Sequence, residues 1–349
     1  MKNVFLVIIG LNLISCAKFS YLTSQSIEQI RLVSEGEEIG IALERKNVDS
    51  ETKAKLKKII EYKKFFSEYF EENIGEIYNK VIFLDREHVS HLVISSSWIE
   101  IKPIEECFWF AGCFPYLGFF HKKSAEKYRD EMISKGLSSH VRPVNAYSTL
   151  GHFNDRVLSS FFNYSEKGLA NLIFHELIHS VIFFKNDVSF NENIASFFAS
   201  ELVSIYFKET DHDKVKSQAK DKSEFEINRL ISDKTKRINQ KIFSINEVAE
   251  KKLEMKSQIE SEFGDEFRLE LLNICKNNDL DENFCLKFNQ NWTPSRLAAI
   301  GTYNQKQEQI KSYYENNFTN LNEFYKYLKD EYRKGTNSGD LLKKIKPKL

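Results

Sequence analysis

Residues 169–184 constrain this chain more than any other stretch, because they are apolar nearly all round. Leu172, Ile173, Phe174, Leu177, Ile178, Val181, Ile182, Phe183 and Phe184 surround three polar exceptions, His175, Glu176 and His179. A helix with no polar face has nothing to offer water and must be buried. Burying two imidazoles and a carboxylate is costly unless each finds a strong partner, and a divalent cation is one partner that serves them together. His175 and His179 are four residues apart and project from one helix face. Both ring nitrogens can then reach one Zn²⁺, while Glu176 on the adjacent flank can take a proton from water at that ion.

A catalytic zinc needs a third protein ligand and one open position. Glu192 is the candidate, 13 residues after His179. Residues 185–188 supply a turn between two helices, so the second can lie against the first. A rival role exists for the same residue: Ser189 and Glu192 match the S-x-x-E capping box that opens a helix. Tyr147 and Tyr303 are candidates by type for stabilising an oxyanion, although phenols of this kind also serve as packing residues.

Along the rest of the chain the texture changes several times. Residues 20–79 read as helical, with Leu56, Ile59, Ile60, Phe65, Phe66 and Phe70 at three- and four-residue intervals. From 80 to 148 come short β-prone runs at 81–83, 91–94 and 98–101, an aromatic stretch over 107–120, a helix over 124–135 stopped by Gly136, and a strand over 140–147. Beyond Tyr206 the chain is highly charged to about residue 267, with Ile227, Leu230, Ile231, Ile238, Ile242 and Ile245 forming one apolar stripe. This predicts a long helical hairpin with solvated outer faces. Residues 289–328 return to an apolar and aromatic mixture that packs back on the core. With 29 Phe but only 13 Gly and 5 Pro, the composition favours packed helices over disorder. The expected fold is α+β and predominantly helical. Its parts are a signal segment (1–15) and a single domain (16–349), divided into a helical scaffold (16–79), an α+β core (80–207), a charged helical extension (208–288) and C-terminal helices (289–349). Fifty basic residues balance fifty acidic ones, which argues against a nucleic-acid partner.

The N-terminus carries a sorting signal. Met1-Lys2-Asn3 is a short basic start, residues 4–13 are mostly apolar, and Leu13-Ile14-Ser15-Cys16 follows. The apolar stretch is too short for a permanent membrane span and reads as a cleaved signal. The Leu-Ile-Ser-Cys ending resembles the lipobox of bacterial lipoproteins, which implies cleavage before Cys16 and a diacylglycerol anchor on its thiol. Ala17 after Cys16 resembles the sorting pattern for an outer membrane facing the periplasm. Four cysteines remain: Cys107, Cys113, Cys275 and Cys285. An even number in an oxidising compartment suits two local disulfides, with buried free thiols as the other reading. Their wide spacing disfavours a zinc-thiolate site.

Several blocks together resemble a known family, the predicted zinc aminopeptidases of bacterial lipoprotein type. They are Trp109-Phe110-Ala111-Gly112-Cys113 with Tyr116-Leu117-Gly118-Phe119-Phe120, then Ala146-Tyr147-Ser148-Thr149-Leu150-Gly151, then Leu172-Ile173-Phe174-His175-Glu176-Leu177-Ile178-His179, and Phe190-Asn191-Glu192. The resemblance covers roughly 16–201, with a weaker echo at Ser295-Arg296-Leu297-Ala298 and Thr302-Tyr303. It departs from the family at Asp155-Arg156, where an Asp-Pro is common, and in a middle helical region unusually rich in Lys. The resemblance implies a zincin-like, gluzincin-type core with two histidines and a downstream glutamate, a Cys107–Cys113 pair, and an edge strand above the His-Glu helix that pairs with extended substrate.

The expected function is zinc-dependent peptide hydrolysis in the cell envelope, by an aminopeptidase in the family's sense. An aminopeptidase needs a carboxylate for the substrate's free amine. Glu105, Glu106 and Glu201 have the right chemistry, and none is singled out by sequence. Endopeptidase or amidase action on envelope proteins or cell-wall peptides is the neighbouring alternative. A non-catalytic lipoprotein retaining the fold is the alternative from another class, and the intact Glu176 argues against it.

Overall fold

The structure is a computed structural model that describes residues 21, 25, 27–28, 30–31, 34–108, 112–145, 155–184, 187–300 and 307–345. The signal segment 1–15, Cys16, Tyr147, Tyr303 and residues 109–111, 146–151 and 302 lie outside the described residues.

The described chain is mainly helical, with three small sheets. Strand β1 (Glu37–Glu38) and a short helix (Ile39–Glu44) lead into α1 (Ser50–Phe70). Helix α1 begins where the Asp49 carboxylate accepts the Thr52 N–H, and it ends at Glu71 in a left-handed conformation. Its buried residues, Leu56, Ile59, Tyr62, Phe66 and Phe70, recur at helical spacing and face the main core.

Next come β2 (Lys80–Ile82), β3 (Ser90–Ser96), β4 (Glu106–Phe108), β5 (Gly112–Phe114), β6 (Leu117–Phe119), α2 (Lys122–Ser134), β7 (Ser138–Val144) and β8 (Val157–Leu158). One sheet has the order β1-β2-β8, with β2 and β8 parallel. A second, β6-β3-β7, is antiparallel with Leu92 opposite Arg142. Helix α2 is stopped by Gly136 at φ +81, a conformation open to glycine at little cost. Residues 98–101, expected as a strand, form a turn instead. There the Ile101 N–H donates to Asn239 Oδ1 and the Ile101 carbonyl accepts from Asn239 Nδ2, so a side chain far along the chain replaces a strand partner. Of the strand expected over 140–147, residues 146 and 147 lie outside the described residues, and the described strand runs from Ser138 to Val144.

Two helices then pack antiparallel, α3 (Glu166–Val181) and α4 (Val188–Tyr206). They are followed by α5 (Asp211–Phe243), α6 (Val248–Glu262), α7 (Asp265–Asn277), a short helix (Glu282–Leu286), α8 (Pro294–Ile300), α9 (Gln307–Asn317), α10 (Leu321–Arg333) and α11 (Ser338–Ile345). There are two principal cores. The larger is aromatic and surrounds α3 and α4, with α1, α9 and α10 against them. The smaller joins α5, α6 and α7 through Ile227, Ile231, Ile238, Met255, Phe267 and Leu271, and α8 bridges it to the β6-β3-β7 sheet. The structure joins Cys107 to Cys113 across the β4–β5 hairpin and Cys275 to Cys285 in the smaller core.

Candidate metal centre

Local chemistry sets how α3 and α4 meet. Helix α3 starts with Ser165 Oγ accepting the Gly168 N–H. Helix α4 starts at Asp187, whose Oδ1 accepts the Phe190 N–H at 2.9 Å. The cap is therefore Asp187 and not Ser189, which corrects the capping-box reading and leaves Glu192 free of that duty. Asn191 is buried and clamps the connection: its Nδ2 donates to the carbonyls of Phe184 and Asp187, and its Oδ1 accepts the Phe184 N–H. This threefold tie fixes the angle at which the next residue, Glu192, faces α3.

Glu192 Oε2 lies 3.3 Å from His175 Nε2, Glu192 Oε1 lies 3.4 Å from His179 Nε2, and the two Nε2 atoms are 3.1 Å apart. Three donors held about 2 Å from one zinc at tetrahedral angles would stand about 3.3 Å from each other. The observed spacings fit that arrangement. The donor types also fit, since two imidazoles and one carboxylate leave a fourth position open. Burial works against charge at Glu192, but the contacts with His175 and His179 outweigh it and hold the carboxyl well below the usual carboxylate range. At His175 burial likewise opposes the charged form, and Glu192 and Glu176 overcome it to raise the pKa. An ionised carboxylate between two imidazoles is a ready seat for a cation.

The surroundings orient these groups. Ser196 Oγ lies 3.4 Å from His175 Nδ1, one helical turn beyond Glu192, and so contacts the ring nitrogen that faces away from the donor cluster. Glu176 differs from the three donors. Its Oε2 is sealed from solvent and has no hydrogen-bond partner among the described residues, and burial raises its pKa against the lowering effect of His175 and His179. Asp155 adds to that rise. Tyr78, fully buried with φ +58, senses the charges of both Glu176 and Asp155. Sequence reasoning missed Ser196, Asn191, Asp155 and Tyr78. Ser196 and Asn191 had a readable signal, lying one turn after and immediately before Glu192; Asp155 and Tyr78 had none.

Other sequence-derived residues fall elsewhere or outside the description. Glu106 accepts a hydrogen bond from Tyr128, and Glu201 lines a cleft between α3 and α4. Strand β7 is an edge of its sheet and packs chiefly against α2, β3 and α8; the next residue, Asn145, accepts from Ser160 just ahead of α3. Glu105, Cys107 and Cys113 also stand close together, but their sulfurs are bonded to each other.

Fold and site thus define a mainly helical α+β protein with a three-donor site fit for a divalent cation and a buried carboxylate beside it. The chain belongs to the family described as "Putative aminopeptidase", whose model matches residues 20–337. That membership supports a peptidase-like function in general. No curated protein and no solved structure matches the chain.

Proposed function

We propose that this protein is a zinc-dependent peptidase in which His175, His179 and Glu192 hold one Zn²⁺ and Glu176 is the general base. The reading is carried by one observation: three donor atoms from two helices lie within 4.8 Å of one another beside Glu176, whose Oε2 is sealed from solvent and has no hydrogen-bond partner among the described residues. Zinc in such a seat lowers the pKa of water and polarises a carbonyl. Glu176 accepts a proton on its carboxylate from the attacking water and returns it to the leaving amine. Its burial suits that role, because a carboxyl whose pKa is raised holds a proton more firmly than an exposed one would. Ser196 steadies the His175 ring, and Asn191 keeps Glu192 on the donor cluster. The family description favours removal of N-terminal residues, so aminopeptidase action is the specific form proposed. The Leu-Ile-Ser-Cys16 signal supports a lipid-anchored place in the cell envelope, facing the periplasm from the outer membrane.

The test is zinc analysis of soluble protein begun after Cys16, joined to a peptide-library assay of wild type and Glu176→Gln. Both proteins should hold one zinc per chain, and the variant should lose roughly 10²- to 10⁴-fold in hydrolysis. Stoichiometric zinc without Glu176-dependent cleavage overturns the reading.

A further inference from the structure

A cleft of about 590 Å³, within the size range of small-ligand sites, lies apart from the donor cluster. Its walls come from α3 and α4, with residues of α5 and α9 across from them, and none of His175, Glu176, His179 and Glu192 is among its lining residues. One wall is a row of hydroxyls. Ser196, Ser200 and Ser204 stand at four-residue intervals on one face of α4 and span about 12 Å. The side chains of Ser200 and Ser204 make no hydrogen bond among the described residues. Four lysines and three carboxylates also line the cleft. Lys167 is bonded to Glu209 at 2.8 Å, whereas Lys311 on α9 makes no hydrogen bond or ion pair among the described residues. Walls with both signs in nearly equal number suit a ligand that carries both signs better than a polyanion, and idle hydroxyls suit amide groups between its charges.

We propose that this cleft is a second binding site, separate from the reacting position, for a small zwitterion of the di- or tripeptide class whose carboxylate meets Lys311 and whose amides meet the α4 hydroxyls. Ser196 links the site to the donor cluster from behind, since it lines the cleft and its Oγ lies 3.4 Å from His175 Nδ1. This link rests on the zinc reading of the cluster. An imidazole that gives Nε2 to zinc carries its hydrogen on Nδ1. Ser196 Oγ is then the acceptor, and its own hydrogen is left to donate to a carbonyl or carboxylate in the cleft. Zinc and the zwitterion therefore strengthen each other's binding by the same factor.

The test is calorimetry of triglycine and of triglycine amide, which lacks the carboxylate, on the Glu176→Gln protein so that neither is cleaved. Triglycine should bind about tenfold or more tightly than its amide, and Lys311→Met should remove that preference. Ser200→Trp, checked for native circular dichroism, should fill the cleft and weaken triglycine at least about tenfold. A preference for the carboxylate that survives Lys311→Met, the absence of any preference, or triglycine binding unchanged by Ser200→Trp overturns the site. Zinc titration at free zinc fixed by a metal buffer tests the link: triglycine should tighten zinc about two- to tenfold, and Ser196→Ala should abolish that gain. Equal zinc affinity with and without triglycine, or a gain that survives Ser196→Ala, overturns the link. If no zinc binds at all, the zinc reading falls with the link, and the triglycine comparison still decides the site.

Discussion

Glu176 in α3 and Lys234 in α5 are both ionisable side chains withdrawn from water within a helix, and the protein treats them differently. Lys234 Nζ stands 3.4 Å from Glu262 Oε2, 3.0 Å from Glu270 Oε2 at an angle unsuited to a hydrogen bond, and over the Phe267 ring. Its charge is balanced by its own neighbours. Among the described residues Glu176 has no such answer at Oε2, and His179 Nδ1 in the same helix is equally without a hydrogen-bond partner. Helices α5 to α7 thus answer their buried cation with carboxylates, although Ser223 Oγ and Glu270 Oε2 there find no hydrogen-bond partner among the described residues, whereas α3 sets an unpartnered carboxylate oxygen beside a three-donor cluster. Function is better sought at the second kind of place.

The largest test of this contrast is removal of zinc. If the donors hold it, chelation should cost about 3–4 kcal/mol when free zinc had been kept at roughly 100 to 1,000 times Kd. Hydrogen exchange should show protection lost across residues 166–206 and retained across 248–277. Equal loss in both regions would erase the distinction. A smaller test acts from the other side. Lys234→Met removes the ammonium beside Phe267 and leaves the partly buried Glu262 with Arg237, 3.4 Å away, as its remaining cation, and should cost about 1 kcal/mol in urea unfolding. Zinc content and Glu176-dependent hydrolysis should stay at wild-type levels. A loss of either would tie the smaller core to the site.

The contrast also explains what was legible in the sequence. The apolar run 169–184 with its three polar exceptions reads directly as a buried helix, because helical period and burial cost are local properties. That Glu192 turns toward His175 and His179 is readable from a short connection between two apolar helices. Which residue caps the second helix is not, because Asp187 and Ser189 both have suitable side chains and the choice shifts the helix start by only two residues. Residues 98–101 have β-prone side chains, yet their backbone is claimed by Asn239 from α5, a contact with no local trace. Residues 20–79 read as helical throughout, but β1 is imposed by pairing of Glu37 and Glu38 with Val81 and Lys80. The cleft is assembled from α3, α4, α5 and α9, so nothing within any one segment announces it.

His140 gives the smallest test, at the join between the two regions. It lies on β7, and its Nδ1 is 3.1 Å from the fully buried Ser295 of α8. Burial, then the charges of Arg296 and Arg142, push its pKa down to about 4 from an ordinary 6.5. Between those values the unfolded chain binds a proton that the folded chain refuses. Stability should therefore be full above about pH 6.5 and fall as pH drops toward 4. Because the imidazole is only partly buried, the expected loss between pH 7 and 5 is about 1 kcal/mol and not the larger figure that the whole shift would give. Denaturant unfolding of wild type and His140→Gln across that range isolates the contribution, since Gln can keep a hydrogen bond to Ser295 but does not titrate. The two curves should diverge below pH 6.5, with the wild type falling more steeply. Parallel curves would mean that the imidazole is no more restrained in the folded protein than in the unfolded chain, and that the join between α8 and the sheet is less tightly closed than the packing of Ser138, His140 and Ser295 requires.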